Sequence, residues 1–200
     1  WTMQQQGFDY TYDKRLYDRL LDCKVRPIRE HFYAGSDYQN KLARFLENHD
    51  EPRAATAFSD DAHKAGAIIT YLSPGLRFFH QGQFDGFEKR ISPHLIRGPK
   101  ENINSDLKEF YGNLLTILQQ EIFKKGTWQL LNCNSAWEGN QSFESFIIFS
   151  WQFDSSNSIL ICVNYADNYS QCYLKLSFEE LKNQRWQLKD LMNDITYERD

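Results

Sequence analysis

The sequence predicts two architectures in succession: α/β with a parallel sheet over residues 1–125, then all-β with antiparallel strands over residues 126–200. Three observations carry this reading. In the first part short β-like runs alternate with helical patterns, and in the second strand-like segments follow one another between Asn, Ser and Asp clusters. Lys124-Lys125-Gly126 stands at the change from one pattern to the other.

Phe8–Tyr12 reads as a strand, and Asp13 is placed to cap a helix whose apolar face is Leu16, Leu20 and Leu21. Leu42–Leu46 is the next apolar run. It stops at the polar cluster Glu47-Asn48-His49-Asp50-Glu51 and at Pro52. Ser59, Asp60 or Asp61 then caps a small-residue helix through Ala62, Ala65, Ile69 and Leu72, which Ser73-Pro74-Gly75 terminates. Leu76–Phe79 is a third strand, ending in the loop His80-Gln81-Gly82-Gln83. Beyond it lies a helix with Leu107, Tyr111, Leu114, Leu115, Leu118 and Ile122 near a 3.6-residue period. Three βα units in a row imply a parallel sheet covered by helices. So few units leave an open sheet edge, so the fold is expected to be unfinished at its N-terminal side.

After Gly126 the expected strands are Thr127–Leu131, Phe143–Phe153, Ser158–Asn164, Gln171–Leu176, Trp186–Leu188 and Thr196 onward, an antiparallel sandwich or barrel. Ile147-Ile148-Phe149 and Ile159-Leu160-Ile161 are candidates for its central strands, because continuous apolar runs suit positions buried on both faces. The chain stops at Tyr197–Asp200, in what reads as a further hairpin, so this part is expected to be incomplete at its C-terminus.

Composition narrows the function. Aromatic residues reach 16%, with 15 Phe, 11 Tyr and 5 Trp; such rings fill cores first and line sugar sites second. A tryptophan such as Trp137 is read as core before it is read as a sugar platform. A net charge of -4 and a pI near 5.8 give no basic stripe to follow a phosphate backbone, so no nucleic-acid partner is expected. The longest apolar runs, around Ala65–Leu72 and Phe146–Val163, are short or broken by Ser, Gln and Asp, against the ~20 residues of a spanning helix, so no membrane partner is expected. Trp1-Thr2-Met3-Gln4 does not read as a signal peptide. Cys23, Cys133, Cys162 and Cys172 have no CxxC spacing; free, buried thiols are expected, and with them a cytoplasmic location. His31, His63, His80 and His94 are scattered without ligand spacing, and no Gly-rich phosphate loop or GxSxG elbow occurs, so neither metal nor cofactor is expected.

The informative stretch is Phe45–Arg53. An apolar strand that delivers Asn48, His49 and Asp50 at its end puts titratable groups where barrel enzymes keep their sites, although a solvated surface turn has the same composition. Glu47 and Glu51 read as solvated, or as ion-paired with Arg44 or Arg53. Gln81, Gln83 and Asp85 read either as substrate contacts or as a loop hydrogen-bond network.

Phe45-Leu46-Glu47-Asn48-His49-Asp50 resembles the fourth sequence region of the α-amylase family, at the end of the seventh barrel strand. Gly75–Phe84 lies where that family's eighth strand and its Gly-containing loop fall, and Gly7-Phe8-Asp9-Tyr10 resembles the sixth. The resemblance implies that residues 1–125 are the C-terminal portion of a (β/α)8 TIM barrel and residues 126–200 the β-sandwich called domain C. It implies a retaining α-glucan hydrolase or glucanotransferase acting on an α-glucan or maltooligosaccharide. Asp50 would be the transition-state stabiliser, with His49, Asn48 and Gln81 on the substrate side and Asn48 also supporting the loop. Hydrogen bonds to sugar hydroxyls that strengthen as oxocarbenium character develops would lower the barrier. Retaining glycosidases also need a nucleophile and an acid/base about 5 Å apart. In this family they belong to the fourth and fifth strands, ahead of Trp1, so these residues alone are expected to be inactive. The rival reading is a non-catalytic carbohydrate-binding or structural module of the same architecture.

Overall fold

The computed structural model describes the chain except residues 93, 95, 96, 155, 156, 177, 179–184 and 200. In the first part α1 (Thr2–Gln5) precedes β1 (Thr11–Tyr12). Then come α2 (Lys14–Leu21), α3 (Val25–His31), α4 (Ser36–Gln39) and β2 (Leu42–Arg44). α5 (Ala54–Ala57) and α6 (Asp60–Leu72) lead to β3 (Leu76–Arg77), and α7 (Ser105–Leu118) and α8 (Ile122–Lys125) close the helical part. The three strands form one parallel sheet in the order β1-β2-β3, with Thr11 opposite Leu42 and Ala43 opposite Leu76.

The strands are shorter than the apolar runs suggest. Phe8 is exposed and lies outside β1, and Phe78 and Phe79 lie beyond β3. The helix after β3 stops at Leu118, and Ile122 belongs to a separate helix, α8. Asp13 does cap α2, accepting from the Leu16 N–H at 3.2 Å, and Leu16 and Leu20 are buried beneath it. α6 starts at Asp60 with Ser59 as its cap position, although no side chain bonds there.

At the C-terminal end of α6 three carbonyls that lack helical partners are taken by side chains. Ser73 Oγ donates to the Thr70 carbonyl at 2.9 Å, Arg77 Nε to that of Tyr71 at 2.7 Å, and Trp151 Nε1 to that of Leu72 at 2.7 Å. Gly75 then turns the chain into β3 at φ +117, where a Cβ would lie 2.4 Å from the Leu42 carbonyl oxygen. Only glycine meets both conditions.

The change from helix to strand falls at Gly126. β4 (Thr127–Leu131), β6 (Phe146–Asp154) and β7 (Asn157–Asn164) form an antiparallel sheet with β6 in the middle; β5 (Cys133–Ser135) pairs with β8 (Cys172–Leu174), and β9 (Trp186–Asp190) with β10 (Ile195–Arg199). Ile147, Ile148 and Phe149 are buried on both faces, as a central strand requires. Ile159–Ile161 instead lie on β7, an edge of that sheet among the described residues. The terminal hairpin is β9–β10, and Asp200 lies outside the described residues.

One apolar core runs through both parts, from Leu16, Leu20 and Ile28 through Leu46, Ile69 and Leu114 to Ile147, Phe149 and Ile161. Polar contacts reinforce it: besides Trp151 on Leu72, the Tyr165 hydroxyl donates to the Leu20 carbonyl at 2.9 Å. Two expectations fail at the surface. The four cysteines are free, but Cys23 sits at a left-handed turn after α2 and is exposed. Cys162 points outward on β7 between the buried Ile161 and Val163, and Cys133 and Cys172 are half-buried. Trp137 follows the short β5 and is 57% exposed, so it is no part of the core. No helix among the described residues is long and apolar enough to cross a membrane.

Candidate functional site

The C-terminal end of β2 carries the predicted residues, and two layers of buried polar groups hold it. The lower layer is centred on Arg44, whose side chain is fully buried. It pairs with Asp13 through Nη1, bonds Gln39 through Nη2, and donates from Nε to the Pro74 carbonyl at 2.8 Å. His31 Nε2 lies 2.9 Å from the same Asp13 carboxylate. Burial opposes ionisation of Asp13, but the His31 hydrogen bond and the Arg44 charge outweigh it and hold the carboxyl below its ordinary 3.8. The network joins β2 to the start of α2, to α3 and α4, and to the turn before β3.

The upper layer is centred on Glu47. It is buried, not solvated as one sequence reading had it. Its partners are Arg53 Nε at 3.1 Å, His80 Nδ1 at 3.2 Å and the Ala54 N–H at 2.7 Å. Burial pushes the carboxyl up to about 7, against the pull of the Ala54 N–H and the Arg53 charge. Arg53 also reaches across to the carbonyls of Phe87 and Gln81, at 3.2 and 3.0 Å. Gly82, at φ +85, lets the loop pass beside it, for a Cβ there would sit 2.7 Å from Arg53 Nη2. Next to this clamp the Gln83 amide donates to both Tyr71 and Tyr111 hydroxyls at 2.8 Å, and the Tyr71 hydroxyl accepts from the Leu46 N–H at 3.2 Å. His63 closes the chain on Tyr111 at 2.8 Å, where burial lowers its pKa to about 4. Gln83 is thus a loop-network residue, and Asp85 pairs with Lys108 at 3.0 Å.

Above the clamp the loop turns outward. Asn48 is buried, and its Oδ1 accepts from the Asp50 and Glu51 N–H groups at 2.8 and 3.0 Å, an Asx-type turn that presents the next two side chains. Asp50 and His49 are exposed, at 74% and 51% of their side chains, with His49 Nε2 3.3 Å from Asp50 Oδ2. Glu51 pairs with Lys14 at 3.2 Å rather than with Arg44 or Arg53. Gln81 is exposed and gives its backbone carbonyl to Arg53. At the same end of the sheet Tyr12, Phe45 and Phe78 stand edge to face, their ring centres 5.6 and 5.8 Å apart, with Tyr12 open to solvent.

The structure thus brings Asn48, His49 and Asp50 together and leaves Gln81 a loop away. Sequence reasoning missed His80, Tyr12, Tyr71 and Tyr111. Their only signal was that each lies near the end of a strand or on a helix facing the sheet. Chemically, an exposed carboxylate beside an imidazole and an aromatic surface can accept hydrogen bonds from a polyhydroxylated ligand. Among the described residues no three His, Cys, Asp or Glu side chains gather as a metal site.

No protein-family model and no curated protein matches the sequence. Solved structures do match by shape. A noncanonic maltogenic α-amylase, AmyB, from Thermotoga neapolitana superposes with a TM-score of 0.69 at 21% identity, over 97% of this chain and 46% of that one. An α-amylase from Lactobacillus plantarum gives 0.67 at 17% identity, over 98% and 45%, and a cyclomaltodextrinase gives 0.59 at 17%, over 81% and 29%. The chain spans less than half the length of each. A parallel three-stranded sheet with its helices, followed by small antiparallel sheets, and shared in outline with these structures, is an α-amylase-like fold.

Proposed function

We propose that these residues are part of a retaining α-glucan glycoside hydrolase or glucanotransferase, with Asp50 stabilising the transition state and His49 binding the same sugar. Residues 1–125 then supply strands six to eight of a (β/α)8 barrel, and residues 126–200 a domain C. The observation that carries the reading is the presentation of Asp50. It is held at the C-terminal end of a parallel strand by a buried clamp beneath it, while its own carboxylate stands free in solvent beside His49. C-terminal strand ends are where barrel enzymes assemble their sites. The names of the similar structures, maltogenic α-amylase, α-amylase and cyclomaltodextrinase, support an α-glucan as substrate.

The mechanism assigns Asp50 no proton transfer. Its oxygens accept from sugar hydroxyls, and those bonds tighten as positive charge develops at the anomeric carbon, so the interaction favours the transition state over the ground state. His49 fixes the same ring, Asn48 fixes the backbone that carries both, and Tyr12 offers a ring for the sugar face. On this reading the nucleophile and the acid/base come from strands four and five of the barrel, and neither Glu47, buried in its clamp, nor Glu51, paired with Lys14, stands in for them.

In the protein that carries those carboxylates as well, Asp50→Asn should lower kcat on maltooligosaccharides by roughly 10²–10³-fold with circular dichroism unchanged. Undiminished activity would overturn the assignment. The 200-residue chain alone should not cleave starch or p-nitrophenyl α-glucosides above its own Asp50→Asn control. A binding module would instead keep its affinity for maltooligosaccharides in calorimetry after replacement of Asp50 and His49.

A further inference from the structure

His80 stands on the same face of the parallel sheet as the aromatic trio. Phe78 meets Tyr12 edge to face, Phe79 turns to the helix side and stacks on Tyr71 of α6 at 4.1 Å, and His80 follows Phe78 at the two-residue spacing that returns a side chain to the first face. Glu47 follows Phe45, the third ring of the trio, at the same spacing. The two residues therefore meet at the base of the loop that carries His49 and Asp50, and the His80 ring is close enough to His49 to feel its charge.

His80 Nδ1 is under two opposed demands. Arg53 Nη1, 3.0 Å away, is only ever a donor, and Glu47 Oε1, 3.2 Å away, is an acceptor when the carboxyl is ionised. One ring nitrogen carries either a lone pair or a proton, so it satisfies one of them at a time. With Glu47 protonated, Nδ1 stays bare and accepts, and the ring proton lies on Nε2. With Glu47 ionised, Nδ1 carries the proton to the carboxylate, and Nε2 becomes an acceptor. The other groups facing the pair are the Arg53 guanidinium and the Ala54 N–H on Glu47, His49 beside His80, and the phenols of Tyr17, Tyr71 and Tyr111, whose pKa values burial raises so that they keep their protons.

We propose that His80 is a further sugar-binding residue of this site, and that the proton it exchanges with Glu47 sets whether its Nε2 donates to or accepts from a substrate hydroxyl. The sugar contact rests on the glycosidase reading; the tautomer exchange does not.

The first test is long-range 1H–15N correlation spectroscopy of the histidine rings of the 200-residue chain, assigned with His80→Gln, from about pH 6 to pH 9. Desolvation lowers the His80 pKa, so the ring is neutral over most of that range. The ring proton should pass from Nε2 to Nδ1 as pH rises through about 7, where Glu47 ionises, and should stay on one nitrogen throughout in Glu47→Gln. A wild-type tautomer that never changes, or one that still changes in Glu47→Gln, would overturn the proton pairing, and the wild-type titration needs no variant to fold. The second test uses the protein that also carries the nucleophile and the acid/base. There His80→Ala should raise KM for maltooligosaccharides by about 10-fold, and His80→Gln, whose amide N–H replaces Nε2–H, should recover most of it. Unchanged KM in His80→Ala would overturn the sugar contact. Failure of the glycosidase reading shows elsewhere, as undiminished turnover in Asp50→Asn, and leaves the tautomer result on the chain untouched.

Discussion

Replacing Glu47 by Gln should change how stability depends on pH, and by a calculable amount. The side chain is buried and its carboxyl is pushed from an ordinary 4.5 up to about 7. Each tenfold change in proton affinity is worth about 1.4 kcal/mol, so full ionisation in the folded state costs about 3 kcal/mol relative to the unfolded chain. The sign follows from proton counting. Between pH 4.5 and about 7 the native state holds the proton that the unfolded state has released, so stability falls as pH rises through that window and is level above it. His63 works in the opposite direction. Its folded pKa of about 4 lies below the ordinary 6.5, so its contribution is lost as pH falls through that range. The two slopes overlap and would partly cancel in the wild-type curve alone. Urea unfolding of wild type and Glu47→Gln side by side, from pH 4.5 to pH 8, cancels the contribution of His63, which both share. The variant should gain about 3 kcal/mol on the wild type across the series, whatever the constant offset from the changed Arg53 contact. A difference that stays flat, or wild type gaining instead, would mean that the Arg53 pair outweighs desolvation and that Glu47 is ionised throughout.

Asp13→Asn keeps a cap acceptor on α2 but leaves Arg44 buried without its counter-charge, and should cost about 3–5 kcal/mol in denaturant unfolding; a loss below about 1 kcal/mol would show that Gln39 and the Pro74 carbonyl suffice. Gly75→Ala should cost at least about 2 kcal/mol, from backbone strain plus the clash with the Leu42 carbonyl oxygen. Gly7→Ala, at φ +99 with open space around it, isolates the strain and should cost less; equal losses would show that the Leu42 contact relaxes freely.

The elements that were legible in the sequence are those whose signals are local. Asp13 caps α2 because a short acceptor precedes an apolar repeat, and β4 and β7 show unbroken apolar or alternating runs between turn residues. α3 was not legible because Pro27 reads as a breaker, yet it stands in the first turn, where its missing N–H has no helical partner to lose. β5 is only Cys133-Asn134-Ser135, too short for a periodic signal, and among the described residues it pairs with β8. At the candidate site the loop Asn48–Asp50 was visible as a polar cluster after an apolar run. Of its supports only the Glu47–Arg53 pair was among the sequence alternatives; the contacts of Arg44 with Asp13 and of Glu47 with His80 were not, because those partners lie 31 and 33 residues away. The outward face of Cys162 and the exposure of Trp137 were hidden for a related reason. Composition says how apolar a residue is, and only strand register says which way it points.

The Trp151 indole on the last carbonyl of α6 ties the antiparallel part to the loop that carries Asp50. Tyr71, one residue before Leu72, anchors the Leu46 N–H from the same helical turn, and Leu46 begins the peptide that rises to Asp50. Unwinding that turn would release the indole from one side and the loop's foot from the other. The antiparallel strands therefore serve as ballast for a carboxylate they never touch, and loosening β6 should be felt first as a wandering Asp50.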